Sequence, residues 1–180
     1  MDDPTTYQNV LGVFAHYGFR KASMADLADA AGVSRQTLYN RFKNKDQVLD
    51  WAVQNFSEII RQRAEAELSN SEALASARLA DAFNRWVGDL VPMLHESPHG
   101  FEVMDRGLES LRRAECDPDG MFLAAIANFL LREECCQSQA DADDMTFVLV
   151  MASKGLLLKT STYDEFATSM LRVVNVVINK

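Results

Sequence analysis

Between Ser34 and Lys45 the segment SRQTLYNRFKNK gathers side chains that hydrogen-bond as base edges and phosphates require. Val33, Leu38 and Phe42 recur at helical spacing and belong inward, which leaves Arg35, Gln36, Tyr39, Asn40 and Lys43 pointing outward. Arginine can donate twice to guanine, and a glutamine or asparagine amide can bridge adenine. Arg35, Gln36 and Asn40 are therefore the candidate base readers. Hydroxyl and ammonium groups bind phosphate oxygens without reading sequence, a task assigned to Ser23, Ser34, Thr37, Tyr39, Lys43 and Lys45. A solvated helix also shows a polar face; here it coincides with a turn, two caps and local positive charge, which favours nucleic acid.

A second chemistry is spelled by His95-Glu96-Ser97-Pro98-His99, which satisfies the H-E-x-x-H zinc-hydrolase pattern in letters. That pattern needs an unbroken helix, so that both histidines share a face with the glutamate. Pro98 lies inside it, Pro92 before it and Gly100 after it, so a loop is expected and no metallohydrolase. Cys116, Cys135 and Cys136 form no disulfide framework and read as free thiols. An alternative is a metal or oxidant trigger using His95, His99, Cys116 and Cys135. The preferred reading has no cofactor, no metal and no catalytic residue.

The elements that must position the outward face are short. Ser23 precedes Asp26 by three, the spacing of a capping box, and Leu27, Ala28 and Ala31 give that helix a small apolar face. Gly32 can end it in a left-handed conformation, and Ser34 caps the next helix. Such a pair is a helix-turn-helix, whose second helix can enter the DNA major groove. Pro4 with Thr5 or Thr6 opens an earlier helix whose Tyr7, Val10, Leu11, Phe14 and Tyr17 share a face, closed by Gly18. Asn44 and Gln47 cap the longest helical pattern, which runs to Leu68 and spans roughly 36 Å.

Beyond Ser69 the pattern stays helical. Ser71 is expected to cap a fifth helix carrying Leu74, Leu79, Phe83, Trp86, Val87, Leu90 and Leu94, kinked or ended by Pro92. Phe101 to Leu111 gives another stripe, and Asp117-Pro118 opens a helix that is apolar nearly all round. The next helix should follow the polar stretch Gln137–Asp144, and Thr162 with Glu165 should cap the last one. The expected fold is all-α, about nine helices: a three-helix head at residues 1–47 and a helical bundle at 48–180.

Composition agrees: nearly half of the 180 residues are hydrophobic, with four prolines and eight glycines. No run of roughly 18 apolar residues exists and no basic-then-apolar leader opens the chain, so a cytoplasmic protein with no membrane span is expected. The net charge of −8 excludes a general nucleic-acid coat protein. Charge is nevertheless polarised, with six basic residues against two acidic from Arg20 to Lys45, and twelve against twenty from Trp51 onward.

The run AGVSRQTLYNRFKNKDQVL resembles the DNA-binding signature of TetR/AcrR-type transcriptional repressors. Ala31, Gly32, Val33, Ser34, Thr37, Leu38, Tyr39, Phe42 and Lys45 match in order, and FAHYGFRKASMADLA matches the segment before it. The resemblance covers about a quarter of the chain, Tyr7 to Trp51. Gln36 departs from it, standing where many members carry a small residue such as glycine. The resemblance implies a double-stranded operator as partner, a homodimer, and a small-molecule effector, most simply a lipophilic one. It implies a body pocket, with Phe83, Trp86, Met104, Leu108, Met121, Phe122, Ile126 and Phe129 as candidate walls. It also implies a two-fold interface near the C-terminus, with Phe147, Val150, Met151, Leu157, Met170, Val173, Val174 and Val177 as candidates.

Overall fold

The computed structural model describes residues 3–114 and 117–178. Among them every regular element is helical: α1 (Pro4–Lys21), α2 (Met24–Ala30), α3 (Arg35–Arg41), α4 (Lys45–Leu68), α5 (Ala75–Trp86), a 3-10 turn (Gly88–Leu90), α6 (Val91–Glu96), α7 (Gly100–Arg113), α8 (Pro118–Arg132), α9 (Gln139–Lys159) and α10 (Tyr163–Ile178). The all-helical expectation holds. Contacts group these elements into two compact units, Met1–Ile59 with Met93–Asp117, and Ile60–Pro92 with Pro118–Lys180.

In the first unit α1 packs on α2 and α7, and α2 on α3. Asp3 caps α1, accepting from the Thr5 N–H at 2.9 Å, and Pro4 takes the first turn, where no backbone donor is needed. Helical geometry breaks at Gly18, whose φ of 77° suits glycine and whose missing Cβ leaves room for the His99 ring 3.0 Å away. Val10, Phe14, Leu27, Ala28, Leu38, Val48 and Ala52 are wholly buried together. Trp51 joins Tyr7 edge-on at 5.0 Å and lies 5.2 Å from Phe42, fastening the start of α4 to the ends of α1 and α3.

In the second unit α10 packs on α5 and α9, and α8 on α9. Leu79, Phe83, Phe122, Ile126, Leu130, Leu149, Phe166, Met170 and Val174 are fully buried. Arg78, also buried, donates to Glu133 at 3.0 Å and to the Leu68 carbonyl, so a charge taken out of water is hydrogen-bonded and paired.

Two helix boundaries differ from expectation. The helix expected from Ser71 to Leu94 is three pieces: α5, the 3-10 turn and α6. Gly88 sits where any Cβ would lie 2.9 Å from the Phe166 ring, and Pro92 fits the first turn of α6 but not a helix interior. Nor does Ser71 cap α5. Asn70 instead accepts from the Glu72 N–H at 3.2 Å, and α5 starts after Leu74, whose side chain is 78% exposed rather than core. Further on, α9 begins at Gln139, inside the polar stretch, because Ser138 caps it through the Asp141 N–H at 3.1 Å.

Candidate nucleic-acid interface

The local chemistry of α2 and α3 fixes where their outward faces go. Ser23 Oγ accepts from the Asp26 N–H at 3.2 Å, while the Asp26 carboxylate accepts from the Ser23 N–H at 2.9 Å and from its hydroxyl at 2.7 Å. Those hydrogen bonds hold the Asp26 carboxyl below the ordinary carboxylate range. Gly32, with φ 66°, then ends α2: its N–H donates to Asp29, and the Val33 N–H reaches back to Ala28, each at 3.0 Å. This is a Schellman closure, and it turns the chain within four residues. Ser34 Oγ accepts from the Thr37 N–H at 3.1 Å and opens α3.

Only Leu38 is buried on α3, and Phe42 is buried just past its end. Arg35, Gln36, Thr37, Tyr39 and Asn40 are exposed, as is Lys43 beyond it. Gln36 Nε2 donates to Asn40 Oδ1 at 2.9 Å, so two of the three candidate base readers are aligned along one edge. Ser34 and Thr37 hydroxyls lie 2.8 Å apart at the exposed start of α3, where unpaired backbone N–H groups suit an anion. Ser23, Ser34, Thr37, Tyr39 and Lys43 are thus all solvent-facing on the head.

Lys45 has a different job from the phosphate contact expected of it. Its ammonium donates to the carbonyls of Phe19 (2.7 Å), Arg20 (3.0 Å) and Ala22 (2.9 Å), which uses all three hydrogens. It also lies 5.1 Å from the Phe19 ring, and the Arg106 guanidinium sits 3.9 Å from the same ring. Arg106 was missed in the sequence because nothing local marks it; its place is set by the packing of α7 on α1. Together Lys45 and Arg106 clamp the end of α1.

The expected pocket walls do not converge. Phe83, Phe122, Ile126 and Phe129 are 0–1% exposed and fill their own space, with Phe83 edge-on to Phe122 at 5.7 Å and Trp86 stacked on it at 4.4 Å. Met121 is 48% exposed, and Met104 and Leu108 belong to the other compact unit. Aromatic and methionine stripes look alike whether they line a cavity or fill one. Among the candidate interface residues, Phe147 and Met151 are exposed and Val173 half-buried. Val150, Leu157, Met170, Val174 and Val177 are buried within their own unit and have no surface to offer. The exposed apolar side chains nearby are Val148, Leu158, Leu171 and Val176.

His95 ends α6 and His99 precedes α7, with Ser97-Pro98 between, so the two rings do not share a helix face. His95 packs edge-on to Phe101 at 5.5 Å, and His99 Nδ1 lies 3.3 Å from Glu102. Among the described residues no three His, Cys, Asp or Glu side chains converge as a metal site would need. Cys116 lies outside the described residues. Burial pushes both the Cys135 and Cys136 thiols up, which keeps them protonated and poorly reactive.

Residues 11–51 match the sequence profile described as bacterial regulatory proteins, tetR family. The HTH-type transcriptional repressor ComR of Escherichia coli (strain K12) is 28% identical over 82 residues, covering 46% of this chain and 39% of ComR. The chain thus matches about two fifths of the length of that curated relative. A TetR-family transcriptional regulator from Mesorhizobium loti aligns over 99% of this chain and 95% of its own, at TM-score 0.63 and 16% identity. Another from Streptomyces coelicolor aligns over 97% and 93%, at 0.65 and 16%. A TetR variant from Acinetobacter baumannii in complex with minocycline aligns over 99% and 95%, at 0.53 and 16%. At such identities these likenesses speak for the fold.

Proposed function

We propose that this chain, whose head and fold are those of a TetR-type transcriptional regulator, binds a short palindromic operator as a homodimer and is released from it by a small lipophilic molecule. The observation that carries this reading is the outward face of α3, with Arg35, Gln36 and Asn40 exposed on a helix held by a single buried leucine. Those three read bases; Ser23, Ser34, Thr37, Tyr39 and Lys43 hold phosphates and fix register. Lys45 is a positioning residue. Functionally the chain divides into a DNA-binding part, residues 1–47, and an effector-binding and dimerising part, residues 48–180.

Dimer formation draws support from the apolar side chains left exposed on α9 and α10: Phe147, Met151, Leu158, Leu171 and Val176. Clustered exposure of large apolar groups marks an interaction surface. Two recognition helices on a two-fold axis would meet half-sites about one helical turn apart, which is why a palindrome is the expected target. Repression is favoured over activation by the likeness to ComR, a repressor. The chain works in the cytoplasm, and no helix among the described residues is long and apolar enough to cross a membrane.

Selection of bound sequences from random duplex DNA tests the reading. The expected product is an inverted repeat bound by two chains; recovery of no shared sequence at moderate salt overturns it.

A further inference from the structure

The second compact unit carries a groove of about 450 Å³ between α8 and α9, within the roughly 300–1,000 Å³ usual for small-molecule sites. It is separate from the aromatic cluster around Phe122. Ala124 and Ala127 of α8 leave it open, and Phe147, Val150 and Met151 of α9 give it an apolar wall. Thr146 lines the groove, is 3% exposed, and its Oγ1 has no hydrogen-bond partner. A buried hydroxyl left without a partner costs free energy that a bound donor would recover.

The charges at the groove suggest which donor. Asp143 stands one helical turn before Thr146, so its carboxylate and the Thr146 hydroxyl share a face. Gln139 donates to Asp143 Oδ1 at 2.8 Å, which leaves the second carboxylate oxygen available. At the other end, eleven residues and roughly 16 Å along α9, Lys154 and Asp119 bring opposite charges to the same lining. The net negative charge therefore sits at the Asp143 end. A primary ammonium has three donors and can serve both the carboxylate and the unpartnered hydroxyl.

We propose that this groove binds one elongated amphipathic amine per chain, its ammonium at Asp143 and Thr146 and its apolar tail along Val150 and Met151. As a site the groove stands by itself; its use as the effector site rests on the regulatory reading above.

Calorimetric titration of the full chain with decylammonium, decanol and decanoate, all below micelle formation, tests it. The expected result is one decylammonium per chain, bound about tenfold or more tightly than decanoate. Asp143→Asn should abolish that preference, and Thr146→Val should weaken decylammonium while leaving the fold intact. Ala124 is exposed, so Ala124→Phe fills the groove without disturbing the core and should remove binding. Binding indifferent to head group, or undiminished in Ala124→Phe, overturns the proposal. So does loss of self-association in Ala124→Phe by sedimentation when the parent chain binds no decylammonium, because the groove is then an interface between copies. The titration contains no DNA. Its failure removes the groove as a ligand site and leaves operator binding untouched, while failure of the operator selection leaves the titration standing.

Discussion

The outward faces of α3 and α9 are both exposed, and they are exposed for opposite reasons. α3 shows water Arg35, Gln36, Tyr39 and Asn40, groups that solvent satisfies and that base edges and phosphates can satisfy equally well. α9 shows Phe147, Met151 and Leu158, which solvent does not satisfy and only another apolar surface can cover. The same degree of exposure thus marks a site for exchange of hydrogen bonds in one place and for burial in the other. Salt should govern the first and leave the second nearly unchanged.

Substitutions can break that contrast, beginning with the apolar face. Leu158→Asp places a charge on each side of the proposed two-fold interface and removes two buried leucines. A loss of ~3–6 kcal/mol is expected, from ~1.5–3 per side chain. Sedimentation equilibrium should then show monomers, whereas an unchanged dimer would move the interface elsewhere. Leu38→Ala strips α3 of its single anchor and should cost ~2–5 kcal/mol of stability in denaturant titration, because the space it leaves closes only in part.

Gln36→Ala should leave stability alone and cost ~1–3 kcal/mol on the selected operator, with sequence preference changed at one position of each half-site. An unaltered preference would take Gln36 out of base reading. Lys43 and Lys45 sharpen the contrast further. Replacing Lys43 by alanine should reduce the salt slope of operator binding by about one, while Lys45→Ala should leave the slope alone and loosen the end of α1, seen as faster amide exchange there.

Acid has the smallest effect. The Asp26 carboxyl is held below its ordinary value of 3.8 by its hydrogen bonds to the side chain and backbone of Ser23. Its contribution to stability is therefore complete above that value and is lost as pH falls through the lower folded one. Ser23→Ala should cost ~0.5–2 kcal/mol at neutral pH and flatten this acid dependence.

The head was largely legible because its instructions are local. Ser23 with Asp26, Gly32 and Ser34 each act within five residues, so spacing alone locates two helices and a turn. Lys45 was misread because its destination, the carbonyls of Phe19, Arg20 and Ala22, lies more than twenty residues upstream. The break after Trp86 was invisible for the same reason: the contact that demands Gly88 comes from Phe166. On α10 the difficulty was phase. Met170 and Val174 are buried, while their neighbours Leu171 and Val176 are exposed, and a helix apolar on most sides does not say which stripe faces home. Nor could sequence show the α8–α9 groove, since a small alanine reads the same in a packed layer and beside a space.

Leu38 holds α3 almost alone, and the rest of that helix touches no core. Changes at its polar positions are therefore paid in recognition and scarcely in folding. Such a helix behaves as an exchangeable reading head: a lineage can acquire a new target through two or three substitutions without first having to gather spare stability.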